Sequence, residues 1–150
     1  MKKIRLILAL GVVSVSLGLS GLTDAKPLIT AKEAQLPAPT GELKTRGISR
    51  GPAIKVVSPD VGSGQINSPF DLKVQFEARG GNKIDPKSVK VTYLKSPNVD
   101  LTDRLKPTIS ESGINFEKAE VPEGEHAVRI TVKDVEGRES HSIINLVIKK

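Results

Sequence analysis

From Phe70 to Arg79 the chain alternates without a break: Phe70, Leu72, Val74, Phe76 and Ala78 are apolar, and Asp71, Lys73, Gln75, Glu77 and Arg79 lie between them. This period of two predicts a strand with one buried and one wet face, because a helix would scatter those charges around its whole circumference. The same parity sets Val89, Val91 and Tyr93 on one face of residues 88–95, and His126, Val128, Ile130 and Val132 on one face of residues 126–134. Four less regular stretches follow the same logic: Ala53–Ser58, a short piece around Thr108–Ser110, Ile114–Val121 and Ser140–Ile148. Ile114 and Phe116 share a parity that Ala119 and Val121 break, which predicts a bulge at Glu117 and Lys118. The last stretch is apolar on both parities around Ile143, Ile144, Leu146 and Val147, so it is expected to be partly covered on both sides.

Residues 58–64, 80–82, 122–124 and 134–137 separate these stretches with Gly, Pro, Asn, Asp and Ser, the residues of turns. Seven short strands within residues 52–150, without a convincing helical period, predict an all-β, antiparallel seven-stranded β-sandwich. The N-terminal pattern differs. Met1–Arg5 reads MKKIR, and residues 6–22 carry no charge, which is the layout of a secretory signal peptide. Thr23 and Ala25 supply the small side chains expected before a cleavage site, so residues 1–25 are expected to be removed on export. As a bilayer span the run is short and diluted by Gly and Ser. No later stretch is apolar enough to re-enter a membrane, so the mature protein is expected in the periplasm or outside the cell, without membrane insertion.

Residues 26–51 show no alternation and contain Pro27, Pro37, Pro39, Gly41, Gly47 and Gly51, which predicts a flexible arm. As a coil it would span about 28 Å. Thr30 and Glu33 have the spacing of a capping box and predict a short helix that Pro37 must end.

Composition narrows the chemistry. The 150 residues include no Cys, which excludes a disulfide scaffold, a thiol enzyme, a cysteine-held metal and a lipid anchor on cysteine. The absence of Trp, with Tyr93 the single Tyr and on the inward parity, disfavours stacking of sugars. The net charge of +6 belongs mostly to the leader and arm, since residues 52–150 hold 15 basic and 14 acidic side chains. A nucleic-acid partner is therefore not expected, because it needs a basic face on the folded unit. The expected partner is another protein.

The stretch PEGEHAVRITVKDVEG, residues 122–137, resembles the end of bacterial immunoglobulin-like (Ig-like) and fibronectin-III-like domains of exported proteins: a turn, Gly-x-His/Tyr, an alternating strand, then Asp-x-x-Gly. The stretch SPDVGSGQINSPFDLKVQFEA, residues 58–78, is similar to the entry of the same group. The resemblance implies an Ig-like sandwich over residues 52–150 and a spacer, adhesion or accessory role, since such motifs specify fold better than function. The entry is also similar to periplasmic copper-binding sandwiches, but the His or Met ligands those carry near the mature N-terminus do not occur here.

Three candidate sites emerge. The loop 96–107 carries Asp100 and Asp103, which could join Asp85 or Asp134 around calcium and make the protein a small ligand or ion carrier. Asp100 could instead cap a helical turn that folds Leu101 and Leu105 onto the sandwich. His126 lies on an inward parity, where it serves either as a metal ligand or base or, as the structural reading has it, as a corner residue bonded to a neighbouring loop. His141 falls on the opposite face of the last strand, beside Ser140 and Ser142, and reads as a surface residue. No nucleophile-and-base motif or paired-acid motif is present, so no catalytic residue, metal site or cofactor is expected.

Overall fold

The computed structural model describes residues 24–41, 43 and 49–149. The signal peptide expected over residues 1–25 lies, but for its last two residues, outside the described residues, as do positions 42 and 44–48 of the expected arm. In chain order the elements are β1 (Lys26–Pro27), α1 (Ala31–Ala34), β2 (Ala53–Ser58), β3 (Ile66–Asn67), β4 (Phe70–Glu77), β5 (Ile84–Tyr93), β6 (Val99–Asp100), α2 (Thr102–Leu105), β7 (Ile109–Ser110), β8 (Gly113–Glu120), β9 (Gly124–Asp134) and β10 (Glu139–Lys149).

The strands form two sheets. One runs β1-β8-β4-β2 with β7 also paired to β8, and the other runs β3-β10-β9-β5-β6. The long strands pair antiparallel, whereas β1 joins β8 and β3 joins β10 in parallel. One apolar core lies between the sheets, with Leu72, Val74 and Phe116 from the first meeting Val91, Ile130 and Leu146 from the second. Ten strands thus stand among the described residues where seven were expected. The additions β1, β3 and β6 are two-residue pairings, too short to carry a period in the sequence.

The parity break in β8 is a bulge. Phe70 lies opposite Ala119 and Leu72 opposite Phe116, so β8 spends one residue more than β4 over the same length. Lys118 takes the left-handed conformation there, with φ 54°, and its N–H donates to Asp71 Oδ1 at 3.0 Å. At the start of β8 the close approach of β4 demands glycine: a Cβ on Gly113, whose φ is +148°, would stand 1.8 Å from the carbonyl oxygen of Val74.

The first third of the expected arm departs from expectation, because it belongs to the folded domain. Leu28 and Ile29 are buried in the core, and β1 pairs with Ala119 and Glu120. The capping box forms: the Glu33 N–H donates to Thr30 Oγ1 at 3.3 Å, and the Thr30 N–H donates to Glu33 Oε2 at 2.9 Å. Arg104 then clamps this strap from the α2 turn, donating to the Leu28 carbonyl at 2.7 Å and to both oxygens of Glu33. The reason is tertiary. Two adjacent apolar residues beside a proline have no period, yet they fill a seat at the end of the sandwich.

Candidate functional site

The acidic loop does not form a cation cage. Asp100 closes β6, and its Oδ1 accepts the Thr102 N–H at 2.9 Å, opening the α2 turn. Hydrogen bonds from Thr102 hold its carboxyl below the usual carboxylate range. The turn seats Leu101 and Leu105 in the core, both fully buried. Asp103 points to water and meets only the exposed Lys106, at 3.2 Å. The two expected helpers are engaged elsewhere: Asp85 accepts the Lys87 N–H at 3.0 Å, and Asp134 binds Arg138 at 2.7 Å. Among the described residues no three acidic or histidine side chains come together as a metal site would need.

His126 sits near the start of β9, only 4% exposed, and both ring nitrogens are engaged. Nε2 lies 2.8 Å from the carbonyl oxygen of Pro122, in the loop entering the strand, and Nδ1 lies 2.8 Å from the Tyr93 hydroxyl. A carbonyl can only accept, so the proton resides on Nε2 and the Tyr93 hydroxyl donates to Nδ1. Burial holds the imidazole below its ordinary pKa, the charge of Lys95 adds to this, and the Pro122 carbonyl works against it. A histidine so engaged has no free lone pair for a metal or a substrate proton. His141 is exposed on β10 and faces away from this pair.

The other displaced carboxyls also hold the fold. The Arg104 guanidinium lowers the Glu33 pKa from 4.5 to about 2. Burial works to raise that of Asp134, but N–H groups of Arg138 and Glu136 and the Arg138 guanidinium overcome it and keep the carboxyl below its usual range. Their common task is to close the strap at one end and the β9–β10 turn at the other.

Sequence reasoning missed Arg129. It lies mid-strand on β9 with Ala127 and Thr131, on the face turned away from the core. Pairing places Thr92 of β5 on one side of it and Ile143 of β10 on the other. Its Nε is shut off from solvent and has no hydrogen-bond partner among the described residues. Parity in the sequence puts Arg129 on an outward face, but nothing local reveals that its neighbours offer it no acceptor.

Compared with protein-family models, with curated proteins and with solved structures, the chain matches none. No helix among the described residues is long and apolar enough to cross a membrane.

Proposed function

We propose that the chain is an exported, non-catalytic Ig-like module acting in protein binding, assembly or spacing at the periplasm or cell surface. The observation that carries this reading is the strand order. In the lettering of immunoglobulin domains, β2-β4-β8-β7 corresponds to A-B-E-D and β10-β9-β5-β6 to G-F-C-C′. The parallel pairing of β3 with β10 fits a first strand that crosses from one sheet to the other. His126 supports the same reading: near the start of the F-equivalent strand it holds the preceding loop through Pro122, where immunoglobulin domains use a tyrosine.

The non-catalytic part rests on how the reactive groups are engaged. His126, Glu33 and Asp134 are each committed to structural partners by both nitrogens or both oxygens. The exported part rests on residues 1–25 of the sequence. The test is to express the full chain in a bacterial host, fractionate the cells and weigh the product. The reading expects a protein beginning at Lys26 in the exported fraction. Full-length protein retained in the cytosol would contradict it.

A further inference from the structure

We propose that the free edge of β10 pairs, antiparallel and about a two-fold axis at Ile143, with the same edge of a second copy of this chain. This rests on the reading of the chain as a module for assembly and names its surface and its partner.

Main-chain groups without partners mark that edge. The Leu94 N–H donates to the Ala127 carbonyl at 2.9 Å, so the odd-numbered residues of β9 turn their groups toward β5 and the even-numbered ones toward β10. Register sets Val128 opposite Ile144 and Ile130 opposite Ser142. The even-numbered residues of β10 are therefore bound to β9, and the odd-numbered ones turn their N–H and C=O groups to the open edge of the sheet. The Glu139 carbonyl agrees, since it accepts the Ser49 hydroxyl from outside the β9–β10 pair. β3 closes only the far end, at Ile148 and Lys149. Between these points the main-chain groups of His141, Ile143 and Asn145 have no hydrogen-bond partner among the described residues.

The space beside this stretch is open and largely apolar. A cleft of about 460 Å³ runs along it, with Ile54, Val56 and Val61 facing Ser142 and Ile144. Lys55 is the one charged residue in its lining, and the long stem lets the ammonium reach water. Val61 is 42% exposed, and Val57, next to Val56 on β2, is 55% exposed. Other sheet margins are blunted: β1, β6 and β7 are two residues long, and β2 carries Lys55 and a register shift after Val56. From His141 to Val147, β10 has no Lys, Arg, Asp, Glu, Pro or Gly to discourage pairing.

The stretch also matches itself when reversed. Antiparallel pairing centred on Ile143 sets that residue against Ile143 of the second copy, and His141 against Asn145 of the second copy, so that the free groups of each exchange N–H···O bonds. Glu139 falls opposite Val147 of the second copy, and no two like charges meet along the run. A second copy thus satisfies every free group with its own and brings the same apolar margin with it.

The test is sedimentation of the purified, processed chain over a concentration series, with amide hydrogen exchange measured at both ends of the series. The proposal expects monomers that pass to dimers. It expects the His141, Ile143 and Asn145 amides to exchange fast in the monomer and at least tenfold more slowly in the dimer, while the Ser142 and Ile144 amides stay protected throughout. Ile143→Lys is expected to abolish the dimer, because two like charges would meet at the axis. Should that variant not fold, Asn145→Lys, at an exposed position, puts a cation on the same edge and is expected to do the same. A chain that stays monomeric throughout, or a dimer in which these three amides still exchange fast, overturns the proposal. So does a dimer that survives in a folded lysine variant. Protection that appears only when another protein is added assigns the edge to a foreign strand and also overturns it. A monomer that still crosslinks to another protein in cells sinks this pairing alone and leaves the reading as a binding module standing.

Discussion

Arg104 grips Glu33 across 71 residues of sequence, with Nη1 on Oε2 at 2.9 Å and Nη2 on Oε1 at 2.5 Å. This fork ties a strap from the start of the domain to the loop between its fifth and seventh strands. It also fixes the pH range over which the strap adds stability. Glu33 has a folded pKa of about 2 against an ordinary 4.5, so the folded state favours the charged form. The contribution is full above pH 4.5 and is lost as pH falls through about 2. Glu33→Gln is expected to cost about 1–2 kcal/mol at pH 7. Urea unfolding at stepped pH checks this. The gap between wild type and variant should close between pH 4.5 and pH 2, and a constant gap would refute the assignment.

The apolar half of the strap is expected to matter more than its ion pair. Leu28 and Ile29 are 0% and 2% exposed, so Ile29→Ala leaves a cavity at a seat that the rest of the sandwich cannot fill. A loss of about 2–4 kcal/mol is expected. Chemical denaturation measures it. A loss under about 0.5 kcal/mol would return residues 26–36 to the status of an unattached arm.

The histidine pair predicts a second pH dependence of the same sign. The folded pKa of His126 is depressed below 6.5, so the unfolded chain binds a proton that the folded protein refuses. Stability from this site is complete above pH 6.5 and declines as pH falls toward the folded value. Tyr93→Phe removes the hydroxyl that donates to Nδ1 and is expected to cost about 1 kcal/mol. The ring nitrogens of His126 report directly by NMR. A neutral ring protonated at Nε2 at pH 7 is expected, and a protonated Nδ1 would reverse the bond directions argued above.

Gly113 and Lys118 are a contrasting pair on one strand. Gly113→Ala places a Cβ against the Val74 carbonyl and is expected to destabilise by more than about 2 kcal/mol. Lys118→Gly relieves a left-handed residue and is expected to stabilise by about 0.5–1 kcal/mol. Thermal melts of the two variants should move in opposite directions.

Much of this architecture is legible in the sequence, for reasons that can be traced to residues. The alternation through Phe70–Glu77 and His126–Asp134 finds the long strands because one face of each meets a single core. The broken parity at Glu117–Lys118 locates the bulge because side-chain direction reverses with every residue. The capping box is readable because it is local. The seat of Leu28 and Ile29 is not, since burial there depends on β8 and on Arg104, far along the chain. Asp100 and Asp103 look alike as neighbouring acids, and only the turn itself sends one to a backbone N–H and the other to water. Arg129 is hidden for a similar reason, because its lack of an acceptor is a property of three strands together.

The most direct test of the account is photo-crosslinking in the producing cell, with a photoreactive residue placed at Thr131 on the outward face of β9, or at Lys73 on the outward face of the other sheet. The account predicts a discrete adduct with another protein from at least one of these two faces. The absence of an adduct from either position would contradict a binding role.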